Sequence, residues 1–318
     1  MAIIPTFRKA ERLKCKASIL IDGLSGLGKS GLALAIAFGL VGDWDKIAAV
    51  DTENRSLPLY RGSLLHTGVK VEQFSVGDLT ADDGFKPSHY AAYRDLAIQQ
   101  GFEALICDSI SHMWQYKGGI LDMVTEIQRQ GGSGINKYTA WGLPEVVAEK
   151  NTIMSLIRHP KLHCINTVRV KEKMEFITGD DGKQGLKSLG EQQIVMPDLK
   201  YEPDLVLSMQ SPGNEDGTAP RVTISKSRYA PFRVGETYHM TNSLIEQLRL
   251  FLEEGTSPEE LLEMQRKEYI DGIKHHLDAN PSAKAIWEIL KENAGVKGVA
   301  LKEIPLKTLK ILFGQLVA

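Results

Sequence analysis

The residues with the clearest chemical content are Gly23-Leu24-Ser25-Gly26-Leu27-Gly28-Lys29-Ser30, which fill the pattern G-x-x-x-x-G-K-[ST] at every position. That spacing serves phosphate. Gly23, Gly26 and Gly28 let the backbone curl so that successive N–H groups aim at phosphate oxygens, and the helix that opens next adds its positive end. Lys29 neutralises β/γ charge, and the Ser30 hydroxyl can ligate Mg²⁺. With Ser25, Leu27 and Gly31 completing the lining, the expected cofactors are ATP and Mg²⁺. The rival reading, a glycine-rich turn that binds nothing, leaves the lysine, the serine and their spacing without a purpose.

Two carboxylates stand at other strand ends. Leu105-Ile106-Cys107-Asp108-Ser109 is an apolar run closed by an aspartate, an arrangement that brings a carboxylate to Mg²⁺ beside a phosphate loop. Alone, such an aspartate is more often a cap than a metal partner; the phosphate loop upstream reverses that preference. Val50-Asp51-Thr52-Glu53 ends a second run in the same way, which puts Glu53 at the carboxyl edge of a sheet. A carboxylate there can orient and activate water. The alternative is a surface acid in a loop.

These residues need strands to carry them. Apolar runs at 17–21, 47–50, 104–107 and 162–168 read as buried strands, and stretches at 31–41, 89–100 and 145–158 as helices between them. The alternation predicts an α/β fold with a mainly parallel central sheet flanked by helices. Two more strands are expected at 205–209 and 221–225, across a turn at 211–220, with the sheet ending near Tyr238. A helix over 242–254 is stopped by Gly255-Thr256-Ser257-Pro258. The chain thus divides into a basic segment 1–16, a core 17–255 and a small C-terminal helical region 256–318. Gly131-Gly132-Ser133-Gly134 marks a flexible loop.

Composition sets the outer limits. The 318 residues are 42% hydrophobic and 25% charged, which suits a globular domain of about 200 to 250 residues plus an appendage. Three scattered cysteines, Cys15, Cys107 and Cys164, lack metal-ligand spacing and fit a reducing cytoplasm. The longest apolar stretch, 31–42, is too short for a bilayer, and the N-terminus lacks a signal peptide's apolar segment, so no membrane partner is expected. The net charge of −2 leaves any nucleic-acid binding to local clusters. Arg8, Lys9, Arg12, Lys14 and Lys16 form one such cluster, or a solvated arm.

Taken together, these motifs resemble the RecA-like P-loop ATPases. Glu53 and Tyr60 match a RecA stretch in which the glutamate is catalytic and a tyrosine seven positions on stacks on adenine. Asp108-Ser109 matches the RecA metal-binding segment, and Cys164-Ile165-Asn166-Thr167-Val168-Arg169 the strand whose polar end senses γ-phosphate. Thr167 stands where that family usually has glutamine. Lys226-Ser227-Arg228-Tyr229-Ala230-Pro231-Phe232 resembles the segment whose two basic residues reach the ATP of a neighbouring subunit, which implies catalytic roles in trans for Lys226 and Arg228. Without the resemblance they read as two exposed strand residues.

The likeness covers about residues 10 to 235 and is nearest to the phage-encoded, shortened RecA-like ATPases that include single-strand annealing proteins. His112, Trp114, Gly118-Gly119 and Ala140-Trp141 take part in it. His112 and Trp114 read as sensors of nucleotide state or as a packed pair. The resemblance implies an ATP hydrolase in the host cytoplasm. It also implies three kinds of partner, namely single-stranded DNA, further copies of the chain, and single-strand-binding or replication proteins. DNA contacts would fall to Arg169, Lys171 and Lys173 at the mouth of a hairpin turning at 179–182, or these are solvated bases. Phe7-Arg8-Lys9-Ala10 is similar to a plug that joins recombinase subunits, at the level of two fixed residues. A rival from another class is a nucleotide-gated adaptor that recruits proteins through its C-terminal helices without DNA. A small-molecule kinase would need an arginine lid and an acceptor pocket, neither of which is legible.

Overall fold

The computed structural model describes residues 10–131, 136–178, 184–210, 221–238 and 241–317. The turns expected at 179–182 and 211–220, most of the 131–134 loop and Phe7-Arg8-Lys9 lie outside them. Two compact units result, 16–252 and, separately, 253–317 with 10–15.

In the first unit, nine strands form one sheet among the described residues: β1 Ser18–Gly23, β2 Ile47–Asp51, β3 Ser75–Asp78, β4 Ala104–Asp108, β5 His163–Thr178, β6 Gln184–Gln193, β7 Leu205–Gln210, β8 Arg221–Ser227 and β9 Thr237–Tyr238. The order is β3-β2-β4-β5-β1-β7-β8-β9, with β6 pairing β5 off that path. From β3 to β7 every pairing is parallel, and β8 and β9 are added antiparallel. Both faces of the parallel part are covered, so its strands are apolar on both sides. Ile19 and Ile21 enter one core beneath α1 Lys29–Val41. Leu20 between them enters the other, with Tyr90 and Ile153, which belong to α2 Pro87–Gln99 and a later helix.

The short helices α3 His112–Gln115, α4 Ile120–Gln130 and α5 Lys137–Trp141 and the longer α6 Pro144–Ile157 lead from β4 to β5. Helix α7 Thr241–Glu253 closes the unit, with Leu244, Leu248 and Leu252 in the first core. The strand at 75–78 and the helices α3 to α5 are additions to the sequence reading, and β6 gives bounds to the second arm of the hairpin expected to turn at 179–182. Ser75-Val76-Gly77-Asp78 holds no apolar run, and it forms a strand because its backbone completes the edge of β2. Beyond Val168, β5 continues into an antiparallel hairpin with β6, where charges at Arg169, Lys171, Glu172 and Lys173 replace the apolar run.

The second unit packs α8 Pro258–Ala279, α9 Ala283–Asn293 and α10 Leu306–Leu316 around Ile273, Trp287, Leu309 and Leu312. A capping box between Ser257 and Glu260 starts α8. The described end of the basic N-terminal run belongs to this unit. Lys14 N donates to Thr256 O and Thr256 N to Arg12 O, each at 2.9 Å, and Arg12 pairs with Glu254 at 3.0 Å. No described helix is long and apolar enough to cross a membrane.

Candidate nucleotide site

The carboxyl ends of β1, β2, β4 and the parallel part of β5 meet at one edge. Register places Asp51 beside Asp108, Cys107 beside Asn166, and Gly23 beside Arg169. The loop from Gly23 into α1 turns on positive φ at Gly23, Gly26 and Gly28, a conformation that a side chain would strain. The Lys29 ammonium folds over this loop and donates to Gly23 O and Leu24 O, both at 2.9 Å. Burial holds its pKa below the usual lysine value, against the pull of Asp108 and Glu53. Ser25 and Gly26 are exposed, while Leu27, Lys29 and Ser30 are half-buried.

Asp108 is 2% exposed. One carboxylate oxygen accepts from the Thr167 hydroxyl, and the other, Oδ2, is buried with no hydrogen-bond partner. Burial raises the Asp108 pKa, and the neighbouring Ser30 and Thr167 hydroxyls oppose the rise. A buried carboxylate oxygen without a donor is a costly arrangement that a cation relieves. Ser30 and Asp108 together therefore fit Mg²⁺, as hydroxyl and carboxylate oxygens suit a hard ion. Thr167, read as a γ-phosphate sensor, is bonded to this carboxylate in the structure.

Glu53 is half-buried in a turn that Asp51 builds. Asp51 accepts at 2.7 Å from both Glu53 N and Leu57 N, and Asn54 and Arg55 between them have φ of 55° and 62°. The Glu53 carboxylate faces Arg169 in a bidentate pair: Nε donates to Oε1 at 2.8 Å and Nη2 to Oε2. Burial pushes the Glu53 pKa up, but the bonds and charge of Arg169 outweigh it, so the net shift is down. Arg169 also donates to Tyr116 Oη at 2.8 Å, and its backbone N to Ser111 Oγ at 2.9 Å. Of the three bases assigned to DNA, Arg169 thus turns inward, while Lys171 and Lys173 are exposed farther along β5.

Tyr60 lies against the start of α1. A Cβ on Gly31 would come within 3.2 Å of the Tyr60 ring, so glycine permits the approach. Burial and then the Asp108 charge raise its pKa. His112 is buried, stacked on Phe85 with centroids 4.9 Å apart and in hydrogen-bond contact with Thr52 Oγ1. Burial lowers its pKa to about 4, so the ring is neutral at pH 7. Trp114 packs on Trp141 instead, at 5.9 Å.

Several contributors escaped the sequence reading. Thr52 Oγ1 accepts from Ser109 N at 2.8 Å and ties the turn of Glu53 to the strand of Asp108. Gln193, at the end of β6, donates to the buried Asp22 carboxylate, so the hairpin is rooted at the site through both of its strands. The one legible signal was polar residues crowded at apolar strand ends, as in Asp51-Thr52.

Lys226 and Arg228 lie away from the phosphate loop. Lys226 Nζ donates to Pro203 O at 2.7 Å, and Arg228 donates to Tyr201 O at 2.6 Å and to Glu202 O at 3.3 Å. Arg228 N bonds Asp204 O, and Asp204 N bonds Ser18 O, at the first residue of β1. From Ser18 to Gly23 is five residues, or about 16 Å of strand. Arg228 therefore lies at the far end of β1 from its own chain's loop, and the Lys226 ammonium reaches toward that end on Pro203 O.

One strand, β5, separates the phosphate-loop strand β1 from β4 with its aspartate, and the parallel sheet is helix-covered on both faces. The core is a RecA-like P-loop fold. No family model matches the chain, and no curated protein does. Among solved structures it is similar to a KaiC-like protein from the hyperthermophilic archaeon Pyrococcus horikoshii OT3. The two are 16% identical over 70% of this chain and 84% of that one, with a TM-score of 0.39.

Proposed function

We propose that the chain is a Mg²⁺-dependent ATP hydrolase that acts on single-stranded DNA in phage recombination, annealing or replication, with neighbouring copies completing each other's sites. The observation that carries the hydrolase is the buried, unpartnered Oδ2 of Asp108 among Ser30, Lys29 and Glu53. In this reading the loop from Gly23 to Gly31 holds the polyphosphate and Lys29 neutralises it. Ser30 and Asp108 hold Mg²⁺, which when bound offsets charge on the phosphates. Tyr60 takes the adenine face, Thr167 keeps Asp108 oriented, and Glu53 accepts the proton of the attacking water. Lys226 and Arg228 serve the next copy, and Lys171 and Lys173 meet DNA phosphates.

Steady-state hydrolysis with and without long single-stranded DNA, over a range of protein concentrations, tests this reading. Lys29→Ala is the blank and should show no turnover. Stimulation by DNA that steepens with concentration supports the whole reading. Hydrolysis indifferent to DNA leaves the ATPase and removes the DNA. No hydrolysis above the blank removes both.

The Arg169 pair sets a pH dependence. Glu53 must be unprotonated to act as a base, and Arg169 keeps its pKa low. In Arg169→Ala the main opposition to burial is gone, the pKa rises, and the acidic limb of kcat/KM moves to higher pH. A limb that stays in place argues that another group is the base.

A second reading rests on the helical unit. Leu262, Met264, Ile286 and Ile289 are each at least 50% exposed there, which suits an adaptor that holds a protein partner. Partner binding that depends on nucleotide and is lost in Lys29→Ala, with no turnover in the parent, would favour it.

A further inference from the structure

Three cations gather where β7 begins. Arg158, just after α6, donates through Nη2 to Asp204 Oδ1 and to Glu202 O, the latter at 3.2 Å. Arg228 reaches the same Asp204 Oδ1 at 3.3 Å, and Lys226 is bound one residue earlier, on Pro203 O. Asp204 is 14% exposed, whereas the side chains of Arg158 and Arg228 are 51% and 48% exposed. Two guanidiniums thus share one largely buried carboxylate and keep about half of their surface for solvent.

Electrostatics makes this more than a staple between α6 and β7. Three like charges in one place repel, and Asp204 and the nearby Glu202 act against that repulsion at Lys226. One arginine would suffice to tie the two elements. A pair fixed at a common carboxylate, with about half of each side chain still exposed, is preorganised for an anion with several oxygens. Its own chain offers none, since the phosphate loop lies at the opposite edge of the sheet.

We infer that Arg158 is a third trans cation, held in register with Arg228 by the positioning residue Asp204, for the polyphosphate of a nucleotide bound to a second copy of this chain. This rests on the reading of Lys226 and Arg228 as trans residues. Burial of a partner's polyphosphate against three cations gives the transition-state charge more than one donor.

Subunit mixing tests it. Arg158→Ala alone should bind a fluorescent ATP analogue normally, which shows that it is folded, and lose on the order of 100-fold in hydrolysis. Lys29→Ala is also inactive but keeps its cations. In an equal mixture one interface in four pairs an intact loop with intact cations, so about a quarter of the parental rate should return. Arg228→Ala should behave in the same way. Asp204→Asn should retain nucleotide binding and lose hydrolysis, and it too should be rescued by Lys29→Ala. If Arg228→Ala is rescued while Arg158→Ala hydrolyses normally or is not rescued, the third cation is wrong and the trans reading stands. If neither is rescued, the trans reading itself falls. Should Arg158→Ala fail to bind nucleotide, Arg158→Lys decides in the same assay.

Discussion

Glu53→Gln should bind ATP with parental affinity and hydrolyse it about 10²- to 10⁴-fold more slowly, the range of a positioned general base. The two properties separate because the groups that would grip nucleotide, from Gly23 to Ser30, belong to β1 and α1, whereas Glu53 belongs to the turn after β2. Glutamine fills the same volume and can still accept one bond from Arg169 through its amide oxygen. It cannot take a proton from water. Equilibrium binding of a fluorescent nucleotide and single-turnover hydrolysis measure the two halves, and near-parental hydrolysis would take the base assignment away from Glu53.

Asp108→Asn should move activity and stability in opposite directions. Without nucleotide the aspartate is a buried charge with one oxygen unpartnered, and its raised pKa shows that the fold disfavours the ionised form. Asparagine keeps an acceptor for Thr167 and removes the charge, so the nucleotide-free protein should gain about 1 to 3 kcal/mol. The sign can be checked against pH. A folded pKa above the unfolded value means that the folded state holds its proton more tightly, so the parent loses stability as pH rises through the carboxylate range. The variant should lack that loss. With the metal ligand gone, Mg²⁺ should no longer tighten ATP binding or support turnover. Thermal unfolding without nucleotide, and nucleotide titrations with and without Mg²⁺, report the two effects. A lower melting temperature in the variant would show that the carboxylate serves packing, against its reading as a reserved metal ligand.

The parallel sheet was legible because its strands are apolar on both faces and end in Gly23, Asp51 and Asp108, residues that an interior strand does not otherwise need. The loop from Gly23 to Ser30 was legible because its geometry is local. What sequence concealed was pairing at a distance. Arg169 and Glu53 are 116 positions apart, and a basic residue at the root of a hairpin reads as a solvent-facing base until the fold turns it inward. Arg158 lies 46 positions from Asp204, at the end of an ordinary helix, with no local pattern to mark it. The four-residue strand Ser75–Asp78 was hidden for a related reason: its hydrogen bonds, rather than its side chains, place it in the sheet.

The polarity of the sheet has an arithmetic consequence. With the phosphate loop at one edge and the cations at the other, an assembly built on the proposed contact is head-to-tail, and the same patch never meets itself. A closed ring of such subunits has as many complete sites as members. An open row always has one fewer, because one terminal copy holds nucleotide without cations and the other holds cations without nucleotide. A lone chain has none, a pair has one, and specific activity climbs toward a plateau as rows lengthen. Turnover per subunit, plotted against assembly length, would therefore count the ends.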